Sequence, residues 1–234
     1  MLSTMNNLSC LILAGGKGKR LKPLTNLTPK PLIKVSGRSI VDYVIEHCST
    51  YKIKDFFVLS GYLSERVEEH FRDYPASKNI KVINTGDVDI IERIKSVKEF
   101  LRTDYFLILY GDTISDVNIA NLLEFHVKSG KLATITTWEL VSNFGVIKSN
   151  KDSIVQNYLE KPKLDIWINI GYIILSKECF SHMDDFSCFE NFLTYMVNER
   201  NMVSFKHHGM HLTINNIHEL NIAEEKLKNI NFTI

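Results

Sequence analysis

Positive charge in this sequence is concentrated near one end, in a stretch that is also rich in turn-forming residues. Residues 1–41 hold seven of the 28 lysines and arginines, whereas all 27 acidic residues follow position 41. Within this stretch, residues 14–21 have the sequence AGGKGKRL. Glycines let backbone N–H groups approach an anion closely, and neighbouring cations neutralise its charge. The stretch therefore predicts a loop that binds phosphate groups.

A lysine between two prolines strengthens this prediction. Residues 28–32 have the sequence TPKPL, and the prolines restrict the backbone on both sides of Lys30. The glycine segment is neither a P-loop, because no Ser or Thr follows a Gly-Lys pair at the required spacing, nor a dinucleotide fingerprint, because Leu21 stands where the third glycine belongs. Basic blocks also occur on solvated faces and in nucleic-acid-binding arms. A nucleic-acid site needs stacking aromatic side chains, and this loop has none.

Polar residues follow several predicted strands at their carboxyl ends, where open α/β sheets bind ligands. Asp112 comes after Gly111 at the end of the run YFLILY, a place suited to a divalent cation that itself binds phosphate oxygens. Its alternative role is to stabilise a turn or cap a helix. Glu160 and Lys161 end another strand and Asn169 begins the next. Together they suit a hydroxylated or amino-acid-like acceptor, although each alone is an ordinary surface residue.

Apolar patterning predicts an α/β fold. Strands are expected at 8–14, 56–60, 81–84 and 105–110, alternating with helices at 39–51, 65–74 and 90–101. A helix is expected at 119–128, strands at 133–138, 144–147, 154–159 and 168–175, and helices at 190–199 and 217–228. The alternation of strand and helix is typical of a doubly wound sheet with right-handed crossovers, and the second part adds antiparallel strands. We expect a single domain over residues 1–234.

Composition excludes several classes of protein. Hydrophobic residues make up 44% and charged residues 24% of the chain, which is ordinary for a globular protein and rules out a disordered one. No apolar run approaches the ~20 residues of a membrane span. The four cysteines lack CxxC spacing, which argues against a disulfide scaffold and a zinc site. A cytoplasmic protein without membrane or nucleic-acid partners is expected, and association between copies of the chain stays open.

Several motifs, in this order, resemble the nucleoside-triphosphate-dependent sugar-phosphate nucleotidyltransferases. They are LILAGGKGKRLKPLT, PKPL, YGD, EKP and NIGY. Within that superfamily the sequence is most similar to glucose-1-phosphate cytidylyltransferases, through SGYLSERVEEHF, INTG, YGDTISDVNI and FHVKSGKLATIT. The resemblance implies a Rossmann-like fold. It also implies transfer of a nucleotidyl group from a triphosphate to a phosphorylated acceptor, with release of pyrophosphate.

The resemblance also implies roles for residues within these motifs. About 8–116 would form the nucleotide-binding half and about 117–234 the acceptor-binding half. The implied catalytic residues are Arg20, Lys30 and Asp112, with Mg²⁺ on Asp112. The implied nucleotide-binding residues are Leu13, Ala14, Gly15, Gly16, Gly18, Thr85, Gly86 and Gly111, and the acceptor-binding residues are Glu160, Lys161, Asn169 and Gly171.

Two departures from the family pattern bear on specificity. Lys19 stands where a small hydroxyl residue is usual, and Asn215 stands where the second magnesium-binding Asp is expected. Residues 210–216 also lack the usual aromatic and proline residues. We therefore expect CTP as the donor and either a sugar 1-phosphate or, as in phosphoglutamine cytidylyltransferase, a phosphorylated amino acid as the acceptor, in surface-polysaccharide synthesis. The alternatives are a heptose or hexose 1-phosphate guanylyltransferase and a catalytically silent nucleotide-binding subunit.

Overall fold

The computed structural model describes residues 5–75 and 78–229 and contains a central mixed sheet. The strands are Leu8–Ala14 (β1), Lys34–Val35 (β2), Arg38–Ser39 (β3), Asp55–Ser60 (β4), Asn79–Asn84 (β5), Tyr105–Tyr110 (β6), Thr113–Ser115 (β7), Ala133–Val141 (β8), Val146–Ser149 (β9), Val155–Leu159 (β10), Lys163–Ser176 (β11), Met202–His207 (β12) and His211–Thr213 (β13). Seven of them form one sheet in the order β12, β8, β11, β6, β1, β4, β5. This sheet confirms the predicted α/β class.

Helices cover both faces of the sheet. They are Ile40–Thr50 (α1), Ser64–Arg72 (α2), Ile90–Lys95 (α3), Ile119–Ser129 (α4), Phe180–Met183 (α5), Phe189–Asn198 (α6) and Ile217–Asn229 (α7). Side chains of α1, α2 and α4 pack into one hydrophobic cluster, and those of α3, α5 and α6 pack into another. Among the described residues, no helix combines the length and the apolar character that crossing a membrane requires.

The strand β1 is apolar throughout because both of its faces are covered. Cys10 and Ile12 pack into the first cluster, whereas Leu11 and Leu13 pack into the second. β1 is parallel to β4 and β6, and β4 is parallel to β5. Strands buried on both faces lose the alternation of polar and apolar residues. That is why LSCLILA predicts the strand with its observed ends.

The later part of the chain joins the same sheet. β11 runs antiparallel between β6 and β8, and β12 is parallel to β8. Both predicted halves therefore contribute strands to one sheet. Among the described residues, three small antiparallel pairs lie outside it: β2 with β3, β7 with β13, and β9 with β10.

The helix predicted over 90–101 is shorter than expected. The helix α3 ends at Lys95, and turns follow, in which the N–H groups of Val97 and Phe100 donate to carbonyl oxygens three residues earlier. Val97 and Leu101 are nevertheless fully buried. The apolar spacing therefore predicted correctly that Val97 and Leu101 are buried, but it did not predict that turns replace the helix after Lys95.

A histidine on α4 is buried between two hydroxyl groups. The ring nitrogens of His126 lie 2.8 Å from Oγ1 of Thr134 and 3.0 Å from Oγ of Ser176. Burial lowers the pKa of His126 to about 4. In the unfolded chain, His126 has an ordinary pKa near ~6.5. The contribution of the neutral imidazole to the free energy of unfolding is therefore fully present above pH ~6.5, and it is lost as the pH falls towards the folded-state pKa of about 4.

We expect His126→Gln to flatten the pH dependence of stability. Between pH 7 and pH 5, His126 should account for a loss on the order of 1–2 kcal/mol in the free energy of unfolding. Urea unfolding followed by circular dichroism at both pH values measures this loss. The neighbouring change Phe125→Leu introduces no titratable group and should keep the wild-type slope. Equal slopes for His126→Gln and the wild type would contradict the assignment.

Candidate active site

A cavity of about 650 Å³ lies at the carboxyl ends of β1 and β6. This volume is typical of a site for a small molecule or cofactor. The residues of the sequence prediction that line it are Leu13, Ala14, Gly15, Gly16, Gly18, Lys30, Gly111 and Asp112. The loop after β1 and the end of β6 therefore form its walls together.

Two glycines allow these walls to come together. Gly18 has φ +56°, and its carbonyl oxygen accepts a hydrogen bond of 2.9 Å from the Thr25 hydroxyl. The N–H of Gly111 donates to the carbonyl oxygen of Leu13, and a side chain at Gly111 would collide with that carbonyl group and with the ring of Pro31. Glycine is required at 111 because the ends of β1 and β6 touch there.

Two cationic side chains, one carboxylate and one amide meet beside the cavity. The Lys30 ammonium donates to the Asp112 carboxylate and, at 3.0 Å, to the amide oxygen Oδ1 of Asn215. Arg20 donates to the same oxygen at 3.0 Å. The side chains of Lys30 and Asp112 are only 13% and 27% exposed. The structure thus brings together all four residues of the predicted catalytic and metal set.

Asn215 reaches this cluster because β13 pairs with β7. Thr213 lies opposite Thr113, and the N–H of Ile214 donates to the carbonyl oxygen of Asp112 at 3.0 Å. The N–H of Asn215 donates to Oε2 of Glu219 at 2.7 Å. The amide group of Asn215 presents its oxygen to the cluster, since both of its partners there are donors.

Two of the predicted acceptor-binding residues pack against a tyrosine of the cavity wall. The amide nitrogen of Asn169 lies 3.5 Å from the Tyr110 hydroxyl, and its amide oxygen accepts from the N–H of Gly171 at 2.9 Å. Gly171 has φ +76°, and the ring of Tyr110 fills the place where its side chain would be. Burial raises the pKa of the Tyr110 hydroxyl, which keeps its proton available for hydrogen bonding.

The other two predicted acceptor-binding residues belong to an exposed segment of the chain. Glu160 and Lys161 follow β10 directly and are exposed. Glu160 accepts a hydrogen bond from the Tyr158 hydroxyl. In the part of the chain that the structure describes, neither side chain forms a hydrogen bond or ion pair with Lys30 or Asp112. Their role in acceptor binding stays a prediction.

Comparison with known proteins shows the family to which the chain belongs. A family model described as nucleotidyl transferase matches residues 9–194. The chain belongs to this family. Glucose-1-phosphate cytidylyltransferase of Salmonella typhimurium is 29% identical over 229 residues, covering 86% of this chain and 89% of that protein. UTP–glucose-1-phosphate uridylyltransferase of Synechocystis is 28% identical over 202 residues, covering 75% of this chain and 51% of that protein.

The fold of this nucleotidyltransferase is also found among solved structures. HddC from Yersinia pseudotuberculosis, solved in complex with GMP-PN, superposes with a TM-score of 0.73 over 94% of this chain and 99% of that chain. The two sequences are 21% identical. At this identity the likeness concerns the fold alone.

The nucleotidyltransferase also has a buried arginine that sequence patterning did not single out. Arg93 is 6% exposed and lines the cavity. Its guanidinium donates to the carbonyl oxygen of Ser60 at 2.9 Å and to the hydroxyl of Thr85. It also lies directly against Gly15 and Gly61. Arg93 therefore connects the loops that follow β1, β4 and β5.

This contact also locates the predicted pair Thr85 and Gly86. Neither residue lines the cavity; Thr85 lies behind it, donating to the Ser60 carbonyl oxygen at 2.7 Å. Burial lowers the pKa of Arg93, while the carboxylates of Asp87 and Asp89 act in the opposite direction. The sequence signal for a buried Arg93 was a single arginine among the apolar positions of α3. Many surface helices share that pattern, so it did not distinguish Arg93.

We expect Gly15→Ala to destabilise the protein because a methyl group there would overlap the Arg93 guanidinium. Moving that buried guanidinium would break its hydrogen bonds, so the cost should be about 1–3 kcal/mol. Gly16→Ala is the matched control, since no described atom lies within 4 Å of the added methyl group. Urea unfolding measures both effects.

The Arg93→Ala background provides a second check on this overlap. With the guanidinium removed, Gly15→Ala should cost little further stability. In a double-mutant cycle, the free energy of unfolding lost by the double variant should therefore be smaller than the sum of the losses of the two single variants. Equal losses for Gly15→Ala and Gly16→Ala in the wild type would contradict the proposed overlap.

Proposed function

We propose that this nucleotidyltransferase transfers CMP from CTP to a small phosphorylated acceptor and releases pyrophosphate. The acceptor is a sugar 1-phosphate or phosphoglutamine, and the product serves surface-polysaccharide synthesis. The observation that carries the proposal is the cluster of Arg20, Lys30, Asp112 and Asn215 beside a cavity with a glycine-lined wall. Such an arrangement suits a triphosphate, whose oxygens need both close backbone N–H groups and fixed cations.

The oxygen atoms of Asp112 and Asn215 suit Mg²⁺, which prefers oxygen ligands and is held in proteins by one or two carboxylates together with waters and phosphate oxygens. Both side chains already accept hydrogen bonds from one cation, the Lys30 ammonium. We propose that these two oxygens hold Mg²⁺ when the ammonium binds phosphate instead. When bound, the ion would neutralise and orient phosphate oxygens.

The proposed reaction needs no general base. A phosphate monoester has a second pKa near ~6, so at neutral pH its oxygen is already a nucleophile. That oxygen forms a bond to the α-phosphorus of CTP as the bond to the pyrophosphate oxygen breaks. The protein has to align these atoms and neutralise the departing charge. Arg20 and Lys30 are placed for this task because each lies in a short helical turn beside the cavity.

The identities of donor and acceptor have separate supports. CTP is supported by the cytidylyltransferase relatives and by the segments INTG, SDVNI and GKLATIT. An altered acceptor pocket is supported by the position of residues 210–216. Trp138 pairs with Ile168, next to Asn169, and its ring lies 5.4 Å from that of His211. The segment that departs from the family pattern thus contacts β8, the strand beside the one that carries Asn169.

We expect Asp112→Ala to lower turnover by ~100-fold or more, which is typical of losing an electrostatic contact in the transition state. Asn215→Ala should cost less, because an amide oxygen is the weaker ligand and carries no charge. Steady-state kinetics measures both effects. Binding of Mn²⁺ in the presence of CTP, followed by electron paramagnetic resonance, should weaken in the same order.

Circular dichroism of both variants checks that the fold is kept. A folded Asp112→Ala enzyme with a near-normal rate would contradict the role of Asp112. A larger loss in Asn215→Ala than in Asp112→Ala would show that the principal ligand is wrongly assigned.

A matrix of four nucleoside triphosphates against phosphorylated acceptors tests the overall reaction. We expect pyrophosphate release with CTP, and with glucose 1-phosphate or phosphoglutamine as acceptor. A site that hydrogen-bonds the base rejects a donor lacking the matching group by several powers of ten, so the preference should be sharp.

Two results would replace this proposal. Better turnover with GTP, UTP or dTTP than with CTP would contradict CTP as the donor, and a preference for GTP would favour a heptose or hexose 1-phosphate guanylyltransferase. Binding of CTP without turnover for any pair would favour a catalytically silent nucleotide-binding subunit.

A further inference from the structure

The loop after β5 forms one wall of the cavity, through residues 87–90. These residues directly follow Thr85 and Gly86, which do not line the cavity themselves. In the sheet, β5 lies three strands away from β6, the strand that precedes Asp112. Neighbouring strands are about 4.8 Å apart, so the ends of β5 and β6 are separated by about 14 Å. The wall after β5 therefore meets a different part of a bound nucleotide from the part that Asp112 meets.

Three carboxylates line the cavity, and one of them differs from the other two. Asp112 forms an ion pair with Lys30, and Asp87 forms one with Lys17. Asp89 is exposed, and within the described ranges it forms no ion pair. A carboxylate without a cationic partner repels a phosphate group. Asp89 therefore suits a part of the ligand that donates hydrogen bonds and carries no negative charge.

The surroundings of Asp89 leave its negative charge without a direct partner. The guanidinium of Arg93 is close enough for the charge of Asp89 to act on its pKa, but it donates its hydrogen bonds to Ser60 and Thr85. At the start of α6, the Cys188 sulfur and a carboxylate oxygen of Glu190 lie within 4.8 Å of an oxygen of Asp89. The Cys188 thiol donates to Glu190 at 2.8 Å. These neighbours thus add negative charge and direct no donor at Asp89.

Two backbone groups fix the carboxylate of Asp89. Its oxygen Oδ1 accepts from the N–H of Ile91 at 3.0 Å and from the N–H of Phe189 at 3.1 Å. The two donors belong to different helices, α3 and α6. In the part of the chain that the structure describes, the second oxygen, Oδ2, accepts no hydrogen bond. Asp89 therefore offers the cavity one free acceptor in a fixed position.

We propose that Asp89 selects the nucleobase of the donor, by accepting a hydrogen bond on Oδ2 from the exocyclic amino group of cytosine. The inference rests on the proposed function and names the residue that determines its donor. A carboxylate matches this amino group, whereas uracil and thymine have a carbonyl oxygen in its place. The N3–H group of uracil is a poor substitute, because it lies between two carbonyl oxygens that repel a carboxylate. Val88 and Ile90, on either side of Asp89, offer apolar contact to the base.

The fixed oxygen also bears on the purine bases. Guanine has two adjacent donors, N1–H and the N2 amino group, and such a pair matches both oxygens of a free carboxylate. Oδ1 of Asp89 already accepts two backbone hydrogen bonds, so one oxygen remains for the ligand. A single amino group satisfies it. Adenine also has a single amino group, and its nucleotide is therefore part of the test.

Isothermal titration calorimetry of the wild type, with Mg²⁺ and without an acceptor, tests the contact directly. The ligands are CTP and the triphosphate of pyrimidin-2-one riboside, which differs from CTP by lacking the 4-amino group. We expect the analogue to bind at least ~10-fold more weakly, as is usual on losing a hydrogen bond to a charged group. UTP, GTP and ATP should also bind more weakly than CTP. This comparison needs neither a variant nor turnover.

The variant Asp89→Asn inverts the proposed contact. Because Oδ1 faces two N–H donors, the amide of the variant keeps its oxygen there and places its NH₂ group at the position of Oδ2. A donor at that position repels the cytosine amino group and matches the uracil carbonyl oxygen. The ratio of CTP affinity to UTP affinity should fall by at least ~30-fold.

The matched control is Asp87→Asn, which makes the same change at a cavity carboxylate that is paired with Lys17. It alters charge near both nucleotides equally, so the affinity ratio should stay within about 3-fold of the wild-type ratio. Circular dichroism checks the fold of both variants. Loss of a helix cap alone weakens the binding of CTP and UTP together and leaves their ratio unchanged.

Three results would overturn the inference. The first is a wild type that binds the pyrimidin-2-one analogue, UTP, GTP or ATP as tightly as CTP. The second is a folded Asp89→Asn variant with the wild-type ratio, and the third is an equal shift of the ratio in Asp87→Asn. Selective binding of CTP that depends on Asp89, without pyrophosphate release for any acceptor, would instead support this inference and contradict the proposed reaction.

Discussion

The loop between β1 and α1 gathers cations that repel each other, so the fold must bring negative charge to it from elsewhere. Residues 15–38 contain no carboxylate. Asp87, after β5, pairs with Lys17; Asp112, after β6, pairs with Lys30; and Asn215 turns an amide oxygen to the same cluster. Each of these three partners lies just after the end of a different strand. Sheet topology and electrostatics therefore depend on one another.

The sequence predicted the central strands better than the small ones, for a physical reason. LSCLILA and YFLILY coincide with β1 and β6, because a strand covered on both faces must be apolar along its whole length. The strands β7 and β13 have three residues each and are about 100 residues apart in the chain. Their pairing leaves no local pattern, since it depends on the completed sheet. The helix predicted over 90–101 was too long because turns can bury Val97 and Leu101 as a helix would.

The candidate site was predictable where local turns determine it. The glycines after β1, Lys30 between its prolines and Asp112 after β6 all follow from short segments, and the structure places them around one cavity. Arg93 was missed because its surroundings are assembled by three separate loops. Only the folded chain supplies the Ser60 carbonyl group and the Thr85 hydroxyl that make burial of a guanidinium tolerable. Asn215 was identified through the family resemblance, not through any local pattern.

The two sides of the candidate site are held in different ways. The proposed nucleotide side consists of strand ends and tight glycine contacts, which change only at a cost to the core. The predicted acceptor residues Glu160 and Lys161 lie instead on the exposed backbone after β10, where substitutions leave the sheet intact. One fold can therefore keep the proposed triphosphate site while the residues proposed to bind the acceptor change.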